Sequence, residues 1–185
     1  MTITLATLIT GLLLLILGVL ILLPFPAIVT SIKRFPRSRT LAYVLFGTGA
    51  AWFLYRIANL SAADFGQYRK ALFVFFAIVA IGSFKFVPDF LAVRGACVLI
   101  LLAASPLLDA SYMVWDYGEV TDFGRLYLYK IAIFVAVALA IYLGASPFRM
   151  RDFLEWLYRK PGRARLVGLV IACYGAIVSA VSFTY

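Results

Sequence analysis

The sequence predicts an all-α polytopic integral membrane protein, with six transmembrane helices arranged in three hairpins and both termini outside. Three observations predict this class. Of its 185 residues, 65% are apolar or aromatic, and the mean hydropathy is +1.03, whereas about half of a typical soluble domain is apolar. The apolar residues form runs long enough to cross about 30 Å of hydrocarbon as helices. The Lys and Arg residues lie mostly between these runs and are unevenly divided between the two sides.

Six apolar runs are predicted to cross the membrane within one transmembrane domain that covers residues 1–185. They lie at approximately 5–23, 41–60, 71–87, 91–108, 126–144 and 166–183. The first run follows no Lys or Arg and meets Pro24 instead of a small-residue cleavage site, so we expect a retained span. The third run is short, and we expect its end cations to reach the headgroups along their methylene stems.

The distribution of Lys and Arg predicts the orientation. Alternate connections place twelve cations on one side of the helices and five on the other. The positive-inside rule assigns the richer side to the cytoplasm, so both termini are predicted outside. The inner cations are Lys33, Arg34, Arg37, Arg39, Lys85, Arg94, Arg149, Arg151, Arg159, Lys160, Arg163 and Arg165. The compactness of the chain leads us to expect a bacterial cytoplasmic (inner) membrane as its host.

Residues 148–160, between the fifth and sixth spans, are predicted to form a short helix in the inner membrane interface. Apolar side chains recur there at helical spacing, namely at Met150, Phe153, Leu154 and Leu157. An interfacial tryptophan and a basic run beside it are expected to contact anionic headgroups. The residues predicted to bind lipid or a partner on this inner face are Arg149, Arg151, Trp156, Arg159, Lys160, Arg163 and Arg165.

Arg56, Asp109 and Lys130 are the charged residues nearest the hydrocarbon, and all three are predicted near the outer ends of their helices. A charge inside a membrane is a candidate for a functional site, so these residues could form an ion or substrate site open to the outside. The alternative is a structural ion pair or snorkelling to the surface. Because each residue lies within one or two turns of the boundary, its position favours the structural alternative.

Small residues recur at every fourth position along the last two predicted spans. They are Ala132, Ala136, Ala140 and Gly144 in the fifth span, and Gly168, Ala172, Ala176 and Ala180 in the sixth. Such stripes let helix backbones approach closely, so we expect the two stripes to pack against each other within the last hairpin. A docking face for a partner helix is the alternative.

When the sequence is aligned with itself so that residue 33 lies opposite residue 159, several short segments match. The alignment matches Lys33-Arg34 to Arg159-Lys160 and Gly49-Ala50 to Gly175-Ala176. Parallel repeats occur in transporters, which would make the first and last hairpins equivalent. The alternative is that basic inner turns and small residues are common to any membrane protein, because genuine repeats show more self-similarity than this.

The sequence offers few groups for catalysis. It contains no His, the side chain most used for proton transfer and metal ligation near neutral pH. Cys97 and Cys173 lie inside apolar runs, so each is expected to be a small buried apolar residue. Asp116, Glu119 and Asp122 lack the spacing of a dedicated calcium loop, so a solvated acidic loop is expected there. We therefore expect no cofactor and no metal site, and the sequence does not favour an enzyme.

Three functional hypotheses follow. The first is a non-catalytic membrane subunit or scaffold that binds other membrane subunits, or a second copy of itself. The second is a small transporter or channel that uses the outer charged residues. The third is a lipid-binding or lipid-modifying protein at the inner headgroup layer, because cationic interfacial helices suit that work. Nucleic acid is not expected as a partner, since the net charge of +9 comes from cations that flank membrane spans.

Overall fold

The computed structural model of the protein describes residues 1–23, 25–112 and 123–184. Within those ranges all regular secondary structure is helical. The α-helices, numbered in chain order, are α1 (Ile3–Leu22), α2 (Pro26–Arg34), α3 (Arg39–Ala58), α4 (Arg69–Phe86), α5 (Leu91–Asp109), α6 (Phe123–Ala145), α7 (Phe148–Tyr158) and α8 (Pro161–Val181). The predicted acidic loop, with Asp116, Glu119 and Asp122, lies outside the described residues.

Five of these helices are long and apolar enough to cross a membrane, namely α1, α3, α5, α6 and α8. They coincide with five of the predicted spans, so the chain has the architecture of a multi-spanning helical membrane protein. The predicted third span corresponds to α4, which is also helical but carries Arg69, Lys70 and Lys85 within its eighteen residues. Because these cations are costly in hydrocarbon, the passage of α4 through the bilayer stays a prediction.

Glycines allow two helices of the first compact unit to pack in close contact. The unit consists of three segments, Met1–Lys33, Ala103–Leu139 and Arg151–Tyr185. Within it, α1 and α8 run antiparallel. A Cβ added to Gly11 would lie 2.5 Å from the Ser179 backbone nitrogen, and one added to Gly18 would lie 2.7 Å from the Ala172 Cα. A larger side chain at either glycine would therefore push the two backbones apart.

The pairing of α1 with α8 corrects one expectation, while the arrangement in three hairpins stays a prediction. The predicted packing of the α8 stripe against the fifth span is wrong, because Gly168 and Ala172 meet α1 while Ala176 and Ala180 are exposed. Residues four apart drift by about 40° around a helix at each step, so one stripe cannot keep to one face. Residues seven apart, such as Gly168 and Gly175, drift by only about 20° and both face α1.

A hydrophobic cluster forms the core of the first unit near the start of α1 and the end of α8. Its buried members are Ile3, Ala6, Ala104, Ala110, Leu126, Tyr129, Ile133 and Val178. The hydroxyl of Tyr174 in α8 donates a hydrogen bond to the backbone carbonyl of Leu128 in α6, at 2.6 Å. α8 therefore contacts α6 as well as α1.

The second compact unit is organised around α3. It consists of Arg34–Leu102 and Ala140–Met150. Phe53 of α3 meets Phe76 of α4 edge to face, with ring centroids 5.1 Å apart, and Tyr43 stacks on Phe84 at 5.2 Å. α3 also approaches α5 at Gly95, where an added Cβ would lie 2.7 Å from an α3 backbone carbon. α3 thus contacts both α4 and α5.

A second cluster in this unit joins α5 to the end of α6. Val93, Cys97 and Ala140 are buried together there. Cys97 is therefore a buried thiol, as its apolar sequence context predicts, whereas Cys173 is exposed on α8. Ala140 belongs to the predicted α6 stripe, and its neighbours come from α5.

Two short helices connect long ones. α7, at Phe148–Tyr158, confirms the helix predicted at residues 148–160. α2, at Pro26–Arg34, is an additional helix in what was expected to be a basic turn. The order long helix, short helix, long helix thus occurs twice, in α1 to α3 and in α6 to α8. The shift from residue 33 to residue 159 places α2 over residues 152–160, which overlap α7.

Candidate functional sites

The three residues of the predicted outer site lie in three different helices. Arg56 is exposed in the last turn of α3, in the second unit. Asp109 is exposed at the end of α5, where its carboxylate accepts a long hydrogen bond of 3.5 Å from the Ser105 hydroxyl. Lys130 is partly buried in α6, and no ion pair joins it to Asp109 in the described part of the first unit. The predicted outer site therefore stays a prediction.

Arg149 and Arg151, the first two cations of the predicted inner face, each contact neighbouring side chains. The guanidinium of Arg151 lies 2.7 Å from a carboxylate oxygen of Asp152 and 3.9 Å from Glu155. Its hydrogen bond and ion pair with Asp152 raise the pKa of Arg151 above its usual value. The guanidinium of Arg149 lies 5.7 Å from the centre of the Phe148 ring. Arg151 is thus largely neutralised, and its charge is poorly placed to attract an anion.

Trp156 and Arg163 form the best-defined contact of the predicted inner face. The Arg163 guanidinium lies 4.8 Å from the centre of the Trp156 ring, within the range of a cation–π interaction. The same side chain donates a hydrogen bond of 3.4 Å to the Trp156 backbone carbonyl. The Phe153 ring stacks on the Trp156 ring, with 6.0 Å between the ring centroids. Since both aromatic rings remain about half exposed, they form an apolar surface with a cation at its side.

The opposite face of α7 packs against α1 and α8. Leu154 and Leu157 are buried, and Leu157 packs with Ile21 of α1 and Ala164 of α8. Phe153, which was predicted on the same apolar face as these leucines, is exposed instead. α7 therefore has an apolar face toward the protein and a second, aromatic face that is uncovered, as an interfacial helix requires.

The other cations of the predicted inner face remain accessible. Arg159, Lys160 and Arg165 are exposed, and no acidic side chain pairs with them among the described residues. Arg165 lies beside an apolar hollow between the end of α1 and the start of α8, together with Leu22 and Leu166. These three side chains keep their positive charge available at one end of the first unit.

A cavity at the start of α3 lies outside both predicted sites. Its volume is about 300 Å³, and its walls come from the α3 start, the end of α4 and the start of α5. The lining residues are Pro36, Arg37, Ser38, Arg39, Ala42, Tyr43, Phe84, Pro88, Leu91 and Ala92. The sequence signal is a serine helix cap between two arginines at the start of a span, but the sequence cannot indicate which apolar residues complete the wall.

The described residues contain no cluster of metal ligands, and no known protein resembles the chain. In residues 1–23, 25–112 and 123–184, no three His, Cys, Asp or Glu side chains are grouped closely enough to hold a metal ion. The chain matches no model of a known protein family, no curated protein and no solved structure.

Proposed function

We propose that this protein is a non-catalytic integral membrane subunit or scaffold, with six spans, both termini outside, in a bacterial cytoplasmic membrane. The observation that supports this proposal is the packing of α4. None of the eighteen residues of α4 is buried, although the helix is apolar between its terminal cations. Every other long helix buries several of its side chains. We propose that α4 is the surface that receives a partner.

The contacts of α4 are one-sided. It meets α3 through the aromatic rings of Phe76 and Phe84. Its remaining surface is rich in large exposed apolar side chains, namely Phe73, Val74, Phe75, Ile78, Val79, Ile81 and Phe86. Helices associate in lipid by van der Waals packing and interhelical hydrogen bonds, so a helix whose side chains pack mainly against one neighbour gains little from the fold itself. A second helix along this surface would supply the missing packing.

The partner is tested with a photocrosslinking side chain at Ile78, near the middle of α4. Leu13, near the middle of α1, is the matched control, because the two side chains are 66% and 60% exposed. After irradiation of native membranes, we expect a discrete protein adduct from Ile78 and only lipid adducts from Leu13. Mass spectrometry identifies the adduct, and a differently tagged second copy reveals self-association. Lipid adducts alone from both positions would contradict the proposal.

The six-span topology is tested separately at the two ends of α4. Single cysteines replace Asp64, before α4, or Asp89, after it, in a variant that lacks Cys97 and Cys173. If α4 spans the membrane in the proposed orientation, an impermeant maleimide labels position 64 on intact cells and position 89 only after permeabilisation. Labelling of both positions from one side would show that α4 does not cross.

A further inference from the structure

The cavity at the start of α3 has a cationic end and an apolar end. Arg37, Ser38 and Arg39 line one end, and no acidic residue contributes to the wall. The guanidinium of Arg37 lies 5.7 Å from the centre of the Phe90 ring, so an aromatic ring and not a carboxylate is its neighbour. Arg39 is exposed, and neither arginine forms an ion pair within the described residues. Among the described residues, no carboxylate therefore forms an ion pair with the positive charge at this end.

The backbone adds to the positive character of this end. Ser38 caps α3, and its hydroxyl accepts a hydrogen bond of 3.3 Å from the Leu41 N–H. The N–H groups of the first turn that lack an intrahelical acceptor point to the same end as the two arginines. The helix dipole contributes a partial positive charge there. An anion at this position would be stabilised by side chains and backbone together.

The other end of the cavity is suited to hydrocarbon. Its walls include Ala42 of α3, Phe84 of α4 and Leu91 of α5, which pack in one cluster where the three helices meet. Tyr43 stacks on Phe84 and extends the apolar wall along the outside of α3. A free phosphate ion would leave these walls without a ligand. A molecule with an anionic head and an apolar body would contact both ends.

We infer that this cavity binds an anionic phospholipid, with its phosphate at Arg37 and Arg39 and its glycerol and first acyl carbons against Phe84 and Leu91. The volume of about 300 Å³ is at the lower limit for ligand pockets, which suits a headgroup but not two acyl chains. The chains then continue outside the cavity along exposed helix surfaces such as Tyr43. Because the cavity lies at the start of α3 and α5, which are both long and apolar enough to cross a membrane, its cationic end is at headgroup depth.

The test measures lipid affinity by native mass spectrometry of the full-length protein in detergent, titrated with dioleoyl phosphatidylglycerol. The test variant is R37Q/R39Q. The matched control is R69Q/K70Q, which removes the same charge from exposed cations at the start of α4, outside the cavity and outside the predicted inner face. We expect about a thirtyfold weaker affinity in the test variant, since each basic residue near an anionic lipid contributes about a factor of five. The control should change the affinity by less than about threefold.

Three further measurements complete the test. Thermal unfolding checks that both double variants fold, and the two should unfold at the same temperature because all four side chains are exposed. Phosphatidylcholine, which has no net charge, and glycerol phosphate, which has no acyl chain, should each bind the wild-type protein much more weakly. Equal losses in the two double variants would overturn the proposal in favour of diffuse surface charge. Equal affinity for phosphatidylcholine, or for glycerol phosphate, would overturn the specificity for an anionic headgroup or for a lipid.

Discussion

The contact between α1 and α8 gives the sharpest test of the fold, through the substitution Gly18→Ala. The new Cβ would lie 2.7 Å from the Ala172 Cα, whereas carbon atoms pack best at about 3.5–4.0 Å. The helices must therefore separate locally by roughly 0.8 Å or distort. Gly47→Ala is the matched control, because Gly47 also lies within a long helix but has no atom within 4 Å of the added Cβ.

The expected magnitude follows from comparing the two variants. Overpacking a well-packed contact costs about 1–3 kcal/mol in the free energy of unfolding. Replacement of Gly by Ala in a helix contributes a gain of about 0.5–1 kcal/mol, and this gain applies to both variants. Gly18→Ala should therefore be less stable than Gly47→Ala by about 1–3 kcal/mol.

The assay is equilibrium unfolding of the purified protein in mixed micelles, with SDS as denaturant and far-UV circular dichroism as signal. A lower unfolding midpoint for Gly18→Ala, with an unchanged or higher midpoint for Gly47→Ala, is the expected result. If both variants unfold at the same SDS fraction, the close approach of α1 and α8 is wrong.

Three other outcomes are expected. Tyr174→Phe removes the hydrogen bond to the Leu128 carbonyl and should lower the free energy of unfolding by about 0.5–1.5 kcal/mol in the same assay. N-ethylmaleimide, which is lipid-soluble, should slowly modify Cys173, because this thiol faces lipid or detergent in the middle of α8, and should reach buried Cys97 only after SDS unfolding, as peptide mass spectrometry would show. Burial raises the pKa of Tyr158, so its neutral form is favoured in the folded state. Its stabilising contribution is complete below the unfolded value of about 10 and is lost as the pH rises through the folded value, which unfolding midpoints between about pH 9 and 11 would reveal.

Each of these outcomes has its own control. Tyr142→Phe changes an exposed tyrosine with no recorded hydrogen bond and should leave the midpoint unchanged. Cys173→Ser should abolish labelling of the folded protein, and labelling that persists would show that Cys97 is accessible. Tyr158→Phe should lose less stability than the wild type at high pH, and parallel pH profiles would contradict the assigned role of burial.

The sequence predicts only part of each candidate site. The periodicity of Leu154 and Leu157 correctly indicated the helix α7, because amphipathic spacing is a local property. It did not indicate that Phe153 would face away from these leucines, since that depends on how α7 packs against α1 and α8. Likewise, Arg37 and Arg39 were counted as topological charges, and only the packing of α3, α4 and α5 places a cavity beside them.

The sequence by itself determined the helical membrane character of the protein and the approximate limits of its long helices. Hydropathy and length are properties of each segment alone, so they do not depend on which helices the segment packs against. Tertiary structure alone decided that α1 pairs with α8 and that α4 stays unburied. The physical reason is that lipid provides no hydrophobic force to select partners, so pairing depends on where small side chains let two backbones meet.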